Sequence, residues 1–305
     1  MATTSIYKLA DGRDLSYATY GSESSTAPVV FYFHGFPASH PEALMYDAAA
    51  KKHGIRLVAV DRPGMGSSTF QPKRRFLDWP ADLLALADHL NVQRFALLGT
   101  SGGGPYVFAC WREIPRSRCV GAGIVSSLYP TSLGTAGMLL EARVLLWVAP
   151  WLTGLVAMGL DKGLGVMARD KEHPEKFEQA VADNLKSRPP VDRALWENDV
   201  GNFRKSLVES LRGALQNGGQ GAAWEARMLG SNWDFKLEEL QVSPGQLIIW
   251  HGAHDINVPV PMAEKAAKLI PHAQLRLSQE DGHASLPTNK ADEILESLAM
   301  MLSQK

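Results

Sequence analysis

The stretch F-A-L-L-G-T-S-G-G-G-P-Y-V-F-A-C-W, Phe95 to Trp111, reads as a strand, a sharp turn and a helix. Phe95 to Leu98 is a short apolar run of buried-strand type. Gly99-Thr100-Ser101-Gly102-Gly103 is G-x-S-x-G, and apolar residues resume at helical spacing from Pro105 to Trp111. Ser101 therefore falls on the bend itself. A nucleophile held there needs an unusual backbone angle, and the residues two before and two after it must be small because strand and helix pass in contact. Gly99 and Gly103 meet that demand. Pro105 stands near the helix start, where its missing N–H costs nothing. The helix aims its N-terminal N–H groups and partial positive charge toward the Ser101 oxygen. A glycine-rich turn with no chemistry is the plain alternative. The nucleophile reading requires an oxyanion donor upstream, then an acid and a histidine downstream in that order.

Upstream, Val29 to Phe33 is a continuous apolar run of the kind that forms a strand buried on both faces, and it ends at His34-Gly35-Phe36-Pro37. Pro37 has no N–H and biases Phe36 toward an extended conformation, so the free donor of this loop is the Phe36 N–H. That group is the expected oxyanion donor, with His34 as a loop brace bonded to neighbouring backbone. Before it, Tyr7 to Ala10 and Leu15 to Tyr20 flank Asp11-Gly12 and predict an antiparallel hairpin at a sheet edge. After it come a helical pattern from Pro41 to His53 and a second buried strand, Ile55 to Val60. The following D-R-P-G-M-G-S-S, Asp61 to Ser68, lacks both the Lys-Ser/Thr of a phosphate loop and the third glycine of a dinucleotide fingerprint, so it reads as a structural turn. Asp78 is the expected cap of a helix with Pro80 in its first turn and Leu83, Leu86 and Leu90 on one face. Val120 to Val125 is one more strand. Strand and helix alternate throughout, which predicts a parallel, doubly wound α/β sheet.

Downstream the rhythm breaks. From about 128 to 236 no strand pattern interrupts a series of helical segments. Their first part, Val144 to Leu160, is uncharged and rich in Leu, Val and Trp. Pro150, Gly154 and Gly159 interrupt it and Glu141 and Arg143 precede it, which favours an inserted helical cap over a pocket rather than a transmembrane span. Trp147 and Trp151, four apart, share one helical face; they are the candidate substrate-binding residues of the cap, with an interface or the cap's own core as the other places for that face. The expected organisation is core over 1–127, cap over 128–236 and core again over 237–305. Gln246 to Trp250 resumes the sheet and ends in H-G-A-H-D, His251 to Asp255. This spacing matches neither H-E-x-x-H nor a Cys/His zinc pattern, so Asp255 reads as the acid of a triad rather than as a metal ligand. A helix over Pro261 to Ile270, a last strand at Gln274 to Leu277, the loop Glu280-Asp281-Gly282-His283 and a helix over Lys290 to Leu302 complete the chain.

With 305 residues the chain is long enough for one large α/β core with an insertion. Its 31 Lys+Arg balance 32 Asp+Glu, so no global field draws it to nucleic acid or to an anionic membrane. Cys110 and Cys119 are too few for a disulfide framework and read as small buried residues of a reducing compartment. The first residues carry no secretory pattern, and the cytoplasm is the expected location.

Taken together, the chain resembles the α/β-hydrolase superfamily, in its serine-nucleophile branch with a helical cap. The resemblance rests on H-G-F-P at His34 to Pro37, D-R-P-G-M-G-S-S at Asp61 to Ser68 and G-T-S-G-G at Gly99 to Gly103. It continues with W-x-F-x-L at Trp233 to Leu237, H-G-A-H-D at His251 to Asp255 and G-H at Gly282-His283. It implies the α/β-hydrolase fold, with Ser101 as nucleophile, His283 as base, Asp255 as acid, and the Phe36 and Gly102 N–H groups as oxyanion hole. It also implies acyl transfer on a small apolar carbonyl substrate, with no organic cofactor and no metal. Hydrolysis of an ester, thioester or lactone is the first expectation. The same triad also serves carbon–carbon bond hydrolysis, and a ligand-binding receptor with negligible turnover is a third reading. Some relatives place the acid after the strand that follows the nucleophile helix, where Val125-Ser126-Ser127 offers no carboxylate; Glu280 and Asp281 stay open as substitutes for Asp255.

Overall fold

The computed structural model describes residues 3–304. Its strands are β1 (Thr4–Lys8), β2 (Asp14–Gly21), β3 (Val29–Phe33), β4 (Arg56–Val60), β5 (Phe95–Thr100), β6 (Cys119–Val125), β7 (Leu247–Gly252) and β8 (Gln274–Ser278). They form one sheet in the order β1-β2-β4-β3-β5-β6-β7-β8. β1 and β2 are the antiparallel hairpin at one edge, β2 pairs antiparallel with β4, and every later neighbour pair is parallel.

Between β3 and β6 strands alternate with helices: α1 (Asp47–Lys52) before β4, α2 (Trp79–His89) before β5 and α3 (Gly104–Glu113) before β6. Six helices are inserted between β6 and β7: α4 (Leu140–Leu160), α5 (Val166–Arg169), α6 (Pro174–Leu185), α7 (Pro190–Asn198), α8 (Phe203–Leu215) and α9 (Gln220–Gly230). The sheet closes with α10 (Val260–Leu269), α11 (Ser285–Asn289) and α12 (Ala291–Ser303).

The apolar runs of β3 and β5 follow from burial on both faces. Phe31, Phe33 and Leu97 face one layer, packing with Leu83 and Leu86 of α2, Val107 and Trp111 of α3, and Met262 of α10. Their neighbours Val30, Tyr32 and Leu98 face the other layer, with Ala50 of α1 and Leu295 and Leu298 of α12. Period-two alternation along each strand thus feeds two separate cores. Both cysteines are free and buried, as their position in this core requires.

Two expectations change in detail. Asp78 precedes α2 but makes no side-chain cap to it; its carboxylate turns back to accept the Arg75 N–H at 2.8 Å, closing a short 3-10 turn instead. The helical pattern expected from Pro41 begins as a 3-10 helix over His40–Tyr46 before α1. The long apolar helix α4 bends where Leu152 leaves helical geometry, two residues after Pro150, whose carbonyl accepts a hydrogen bond from Arg227 of α9. Only Leu146 and Ala149 of α4 are buried. By length and composition, the run Leu140–Arg169 is apolar enough to cross a membrane, and 11% of its most apolar window is buried.

Candidate active site

Ser101 occupies the turn between β5 and α3 with φ of +51°, the left-handed region that side chains rarely adopt. The turn is tight enough that a Cβ on Gly103 would lie 2.1 Å from the Phe33 carbonyl oxygen, and one on Gly99 would lie 2.8 Å from the Gly103 carbonyl oxygen. Small residues at these two places are a steric requirement. The Ser101 Oγ stands 3.0 Å from Nε2 of His283, which the loop after β8 carries. On the far side of the ring, His283 Nδ1 lies 2.8 Å from Oδ2 of Asp255, on the loop after β7. A carboxylate accepting from Nδ1–H leaves the Nε2 lone pair for the serine hydroxyl proton.

Asp255 is itself held. Its Oδ1 accepts the N–H groups of Asn257 at 2.9 Å and Val258 at 2.8 Å. The buried His251 donates Nε2–H to the Val258 carbonyl at 2.8 Å, and burial keeps its pKa below the ordinary imidazole value, so it braces this loop as a neutral ring. For His283 burial alone would also depress basicity. The negative charge and hydrogen bond of Asp255, with the charge of Asp192 added, outweigh it and raise the pKa above the ordinary value of 6.5. Neither substitute acid bonds to the ring: Asp281 accepts from Ser278 at 2.6 Å and from Asn289 at 2.8 Å, and Glu280 is exposed.

The Phe36 N–H finds no acceptor among the described residues. A Cβ on Gly102 would lie 3.2 Å from the Phe36 nitrogen, so the two backbone segments run side by side next to Ser101. Three side chains fix this loop. Glu42 accepts the Gly35 N–H at 2.5 Å and the Tyr32 hydroxyl at 2.5 Å, and burial raises its pKa despite those bonds. His34 donates Nδ1–H to the Gly35 carbonyl at 2.9 Å and accepts the Arg62 N–H at 3.2 Å, which defines its neutral tautomer. Arg62 then donates its guanidinium to the carbonyls of His34 and Gly35. An amide with no acceptor beside a serine hydroxyl, on a loop braced from three directions, has the geometry to receive an anion.

A sequence profile of the alpha/beta hydrolase fold matches residues 28–290. The chain belongs to the α/β-hydrolase family. Among curated relatives of this α/β hydrolase is a bifunctional esterase/perhydrolase of Acinetobacter calcoaceticus, 24% identical over 94% of this chain and 95% of the relative. Solved structures of the same fold include an enol-lactonase from Burkholderia xenovorans, which covers 98% of this chain and 100% of its own at 18% identity and a TM-score of 0.66. A bromoperoxidase from Bacillus anthracis covers 99% and 100%, at 20% identity and a TM-score of 0.67.

Above Ser101 this α/β hydrolase has a cleft of about 500 Å³ between the sheet and the inserted helices, lined among others by Phe36, Met138, Leu145, Leu146, Phe177 and His283. Trp147 and Trp151 are a correction. They share a helical face as their spacing requires, but they are 75% and 80% exposed and do not line the cleft. The reason is rotational: Ala142, Leu145 and Leu146 of α4 take the inward face, which leaves Val144, Trp147, Trp151, Leu155 and Met158 outward. Glu42, Arg188 and Asp192 also line the cleft, and sequence reasoning missed them. No motif surrounds them; Asp192 and Arg188 meet partners across the fold at His283 and Asn257, and Glu42 meets Tyr32 and Gly35 at the end of β3.

Proposed function

We propose that this α/β hydrolase cleaves carboxylic esters or lactones with an apolar acyl group through a covalent acyl-enzyme. The hydrogen-bonded chain Ser101 Oγ, His283 Nε2, His283 Nδ1, Asp255 Oδ2, at 3.0 and 2.8 Å, carries this reading. His283 takes the Ser101 proton as the oxygen attacks the substrate carbonyl, and the Phe36 and Gly102 N–H groups receive the oxyanion. Collapse of the tetrahedral intermediate breaks the acyl C–O bond, and His283 returns the proton to the departing alkoxide. Water then attacks the acyl-Ser101 carbonyl with His283 again as base, releasing the acid and restoring the serine hydroxyl. Each oxyanion donor lowers the barrier by roughly 3 kcal/mol. The curated relative named as a bifunctional esterase/perhydrolase supports ester scission over carbon–carbon cleavage.

The test is a series of p-nitrophenyl esters of increasing acyl length. Steady multiple turnover is expected, with kcat/KM rising with chain length until the cleft is filled; a single turnover or none would replace the enzyme reading by a ligand-binding one. In that series, Leu145→Ala is expected to lower kcat/KM for long-chain esters by roughly tenfold, because it removes an inward-facing group of the cleft. Trp147→Ala and Trp151→Ala should leave the length profile as it is in the wild type, since both indoles face outward. A steepened or shortened profile in either tryptophan variant would place that indole against substrate.

The pH dependence has a definite sign. Only neutral His283 accepts the serine proton, so kcat/KM should rise with pH through one ionisation lying above 6.5, the direction in which Asp255 and Asp192 push it. Arg188 opposes that shift, and Glu42 and His251 are the other titratable groups coupled to the ring. Loss of the limb in His283→Gln is expected; a residual activity that keeps the same limb would assign the ionisation to another group.

A further inference from the structure

Asp192 belongs to α7 of the helical insert, yet its carboxylate, 2% exposed as a residue, is spent on the loop that carries His283. Oδ2 accepts the His283 N–H at 3.1 Å. Oδ1 accepts the Ala284 N–H at 3.1 Å, the Ser285 N–H at 2.9 Å and the Ser285 hydroxyl at 2.8 Å. Ser285 Oγ in turn accepts the Gly282 N–H at 2.7 Å, so both backbone flanks of His283 end on this one cap side chain. The Ala284 and Ser285 N–H groups open α11 and those of Gly282 and His283 lie just before it, so none has an intrahelical acceptor, and a buried carboxylate is a strong partner for them. Room for it exists only because residue 282 is glycine: a Cβ there would lie 2.6 to 2.8 Å from the Asp192 carboxyl atoms.

We propose that Asp192 is a positioning residue for the reaction, holding His283 over Ser101 from the inserted helices, so that the seating of the insert and the placing of the base are coupled. The proposal rests on the Ser101 hydrolase reading. Its consequence is that a displacement of α7 moves the backbone of the general base, and an error of about 1 Å in such a group costs on the order of 100-fold in rate. The carboxylate also acts through its charge. His283 is faced by Asp255 and Asp192, which favour the imidazolium, by Arg188, which opposes it, and by the coupled Glu42 and His251.

Asp192→Ala, Asp192→Asn and Gly282→Ala test it in the full chain, with a p-nitrophenyl ester and with kcat expressed per site titrated by a fluorophosphonate. Asp192→Ala is expected to lower kcat about 100-fold with KM little changed. Asn keeps an oxygen for Ala284 and Ser285 but turns an amide N–H₂ toward the His283 N–H, so an intermediate loss is expected. Gly282→Ala should reproduce the loss with the insert untouched and combine non-additively with Asp192→Ala. In both Asp192 variants the pH limb should move to lower pH, since an anion favouring the imidazolium is gone; a purely structural role changes the titrated fraction and leaves the limb in place. Should Asp192→Ala not fold, the Asn variant carries the comparison. Unchanged kcat per titrated site, or an unmoved limb, overturns the proposal. An NMR titration of the His283 ring, which needs no substrate, separates the two readings: absence of turnover in the wild type removes the hydrolase reading, while the ring titration of Asp192→Asn still decides whether Asp192 acts on His283.

Discussion

Replacing Ser101 with alanine is expected to lower kcat on an activated ester by a factor on the order of 10⁴ to 10⁶ while the fold survives. The Oγ is the only atom removed, and its hydrogen bond to His283 at 3.0 Å goes with it. The strained backbone at this position is set by the strand-to-helix turn, which alanine occupies at φ of +51° as serine does. Residual activity is expected from the proposed oxyanion hole, in which the Phe36 and Gly102 amides would still receive a carbonyl oxygen. Two measurements check the expectation: kcat for the variant, and mass spectrometry of the wild type after reaction with a fluorophosphonate. The adduct should map to Ser101. An adduct on Ser67, Ser68 or Ser126 instead would overturn the nucleophile assignment. Ser68 and Ser126 are buried, and the Ser68 hydroxyl is bonded to the Asp61 carbonyl at 2.7 Å, so neither is placed to compete.

The second large effect is expected away from the serine. Glu225 of α9, fully buried, stands between Arg62 and Arg74. Its Oε2 accepts from Arg62 Nε at 2.8 Å, from Arg74 at 3.1 Å and from the Tyr106 hydroxyl at 2.9 Å. Glu225→Ala leaves two buried guanidinium groups without their carboxylate, and breaking a buried pair in this way costs about 3 to 5 kcal/mol. Activity should fall as well, because Arg62 also holds the His34 and Gly35 carbonyls of the loop that carries the proposed oxyanion donor Phe36. Denaturant midpoints of wild type, Glu225→Ala and the isosteric Glu225→Gln measure it; an Ala variant within about 0.5 kcal/mol of wild type would show the network to be energetically idle. The network also predicts an acid limb. Burial alone would raise the Glu225 pKa, but Arg62 and Arg74 bring it from 4.5 to about 2. The folded-state value is depressed, so its stabilisation is complete above pH 4.5 and is lost as pH falls through about 2. The Gln variant should lack that part of the acid transition.

The legible part of this protein is what neighbours in sequence decide. β3 and β5 stand out as unbroken apolar runs because both their faces are covered, and the hairpin β1–β2 because Asp11-Gly12 sits between two alternating segments. Ser101 is readable because a left-handed residue between a strand and a helix forces glycine at fixed offsets, a demand contained within five positions. Chain order then points to Asp255 and His283. What the sequence could not supply was the choice among near-equivalent groups. Asp255, Glu280 and Asp281 are all carboxylates near the right strand ends, and only the fold turns Asp255 to His283 Nδ1 while Ser278 and Asn289 occupy Asp281.

The rotation of α4 was equally out of reach. Its residues are apolar on every side, so periodicity carries no phase, and α9 together with the cleft determines that Leu145 and Leu146 face inward and Trp147 and Trp151 outward. Asp192, Glu42 and Glu225 lie at polar positions that any solvated helix would present. Their partners stand 91, 7 and 163 residues away, at His283, Gly35 and Arg62. By itself the sequence determined the sheet and the strand-turn-helix at Ser101, because local sterics and hydrophobic periodicity act over a few residues. Tertiary structure alone decided which carboxylates meet His283, what braces the loop from His34 to Pro37 and which face of the insert meets the cleft, because buried charge is stabilised only by partners that folding brings to it.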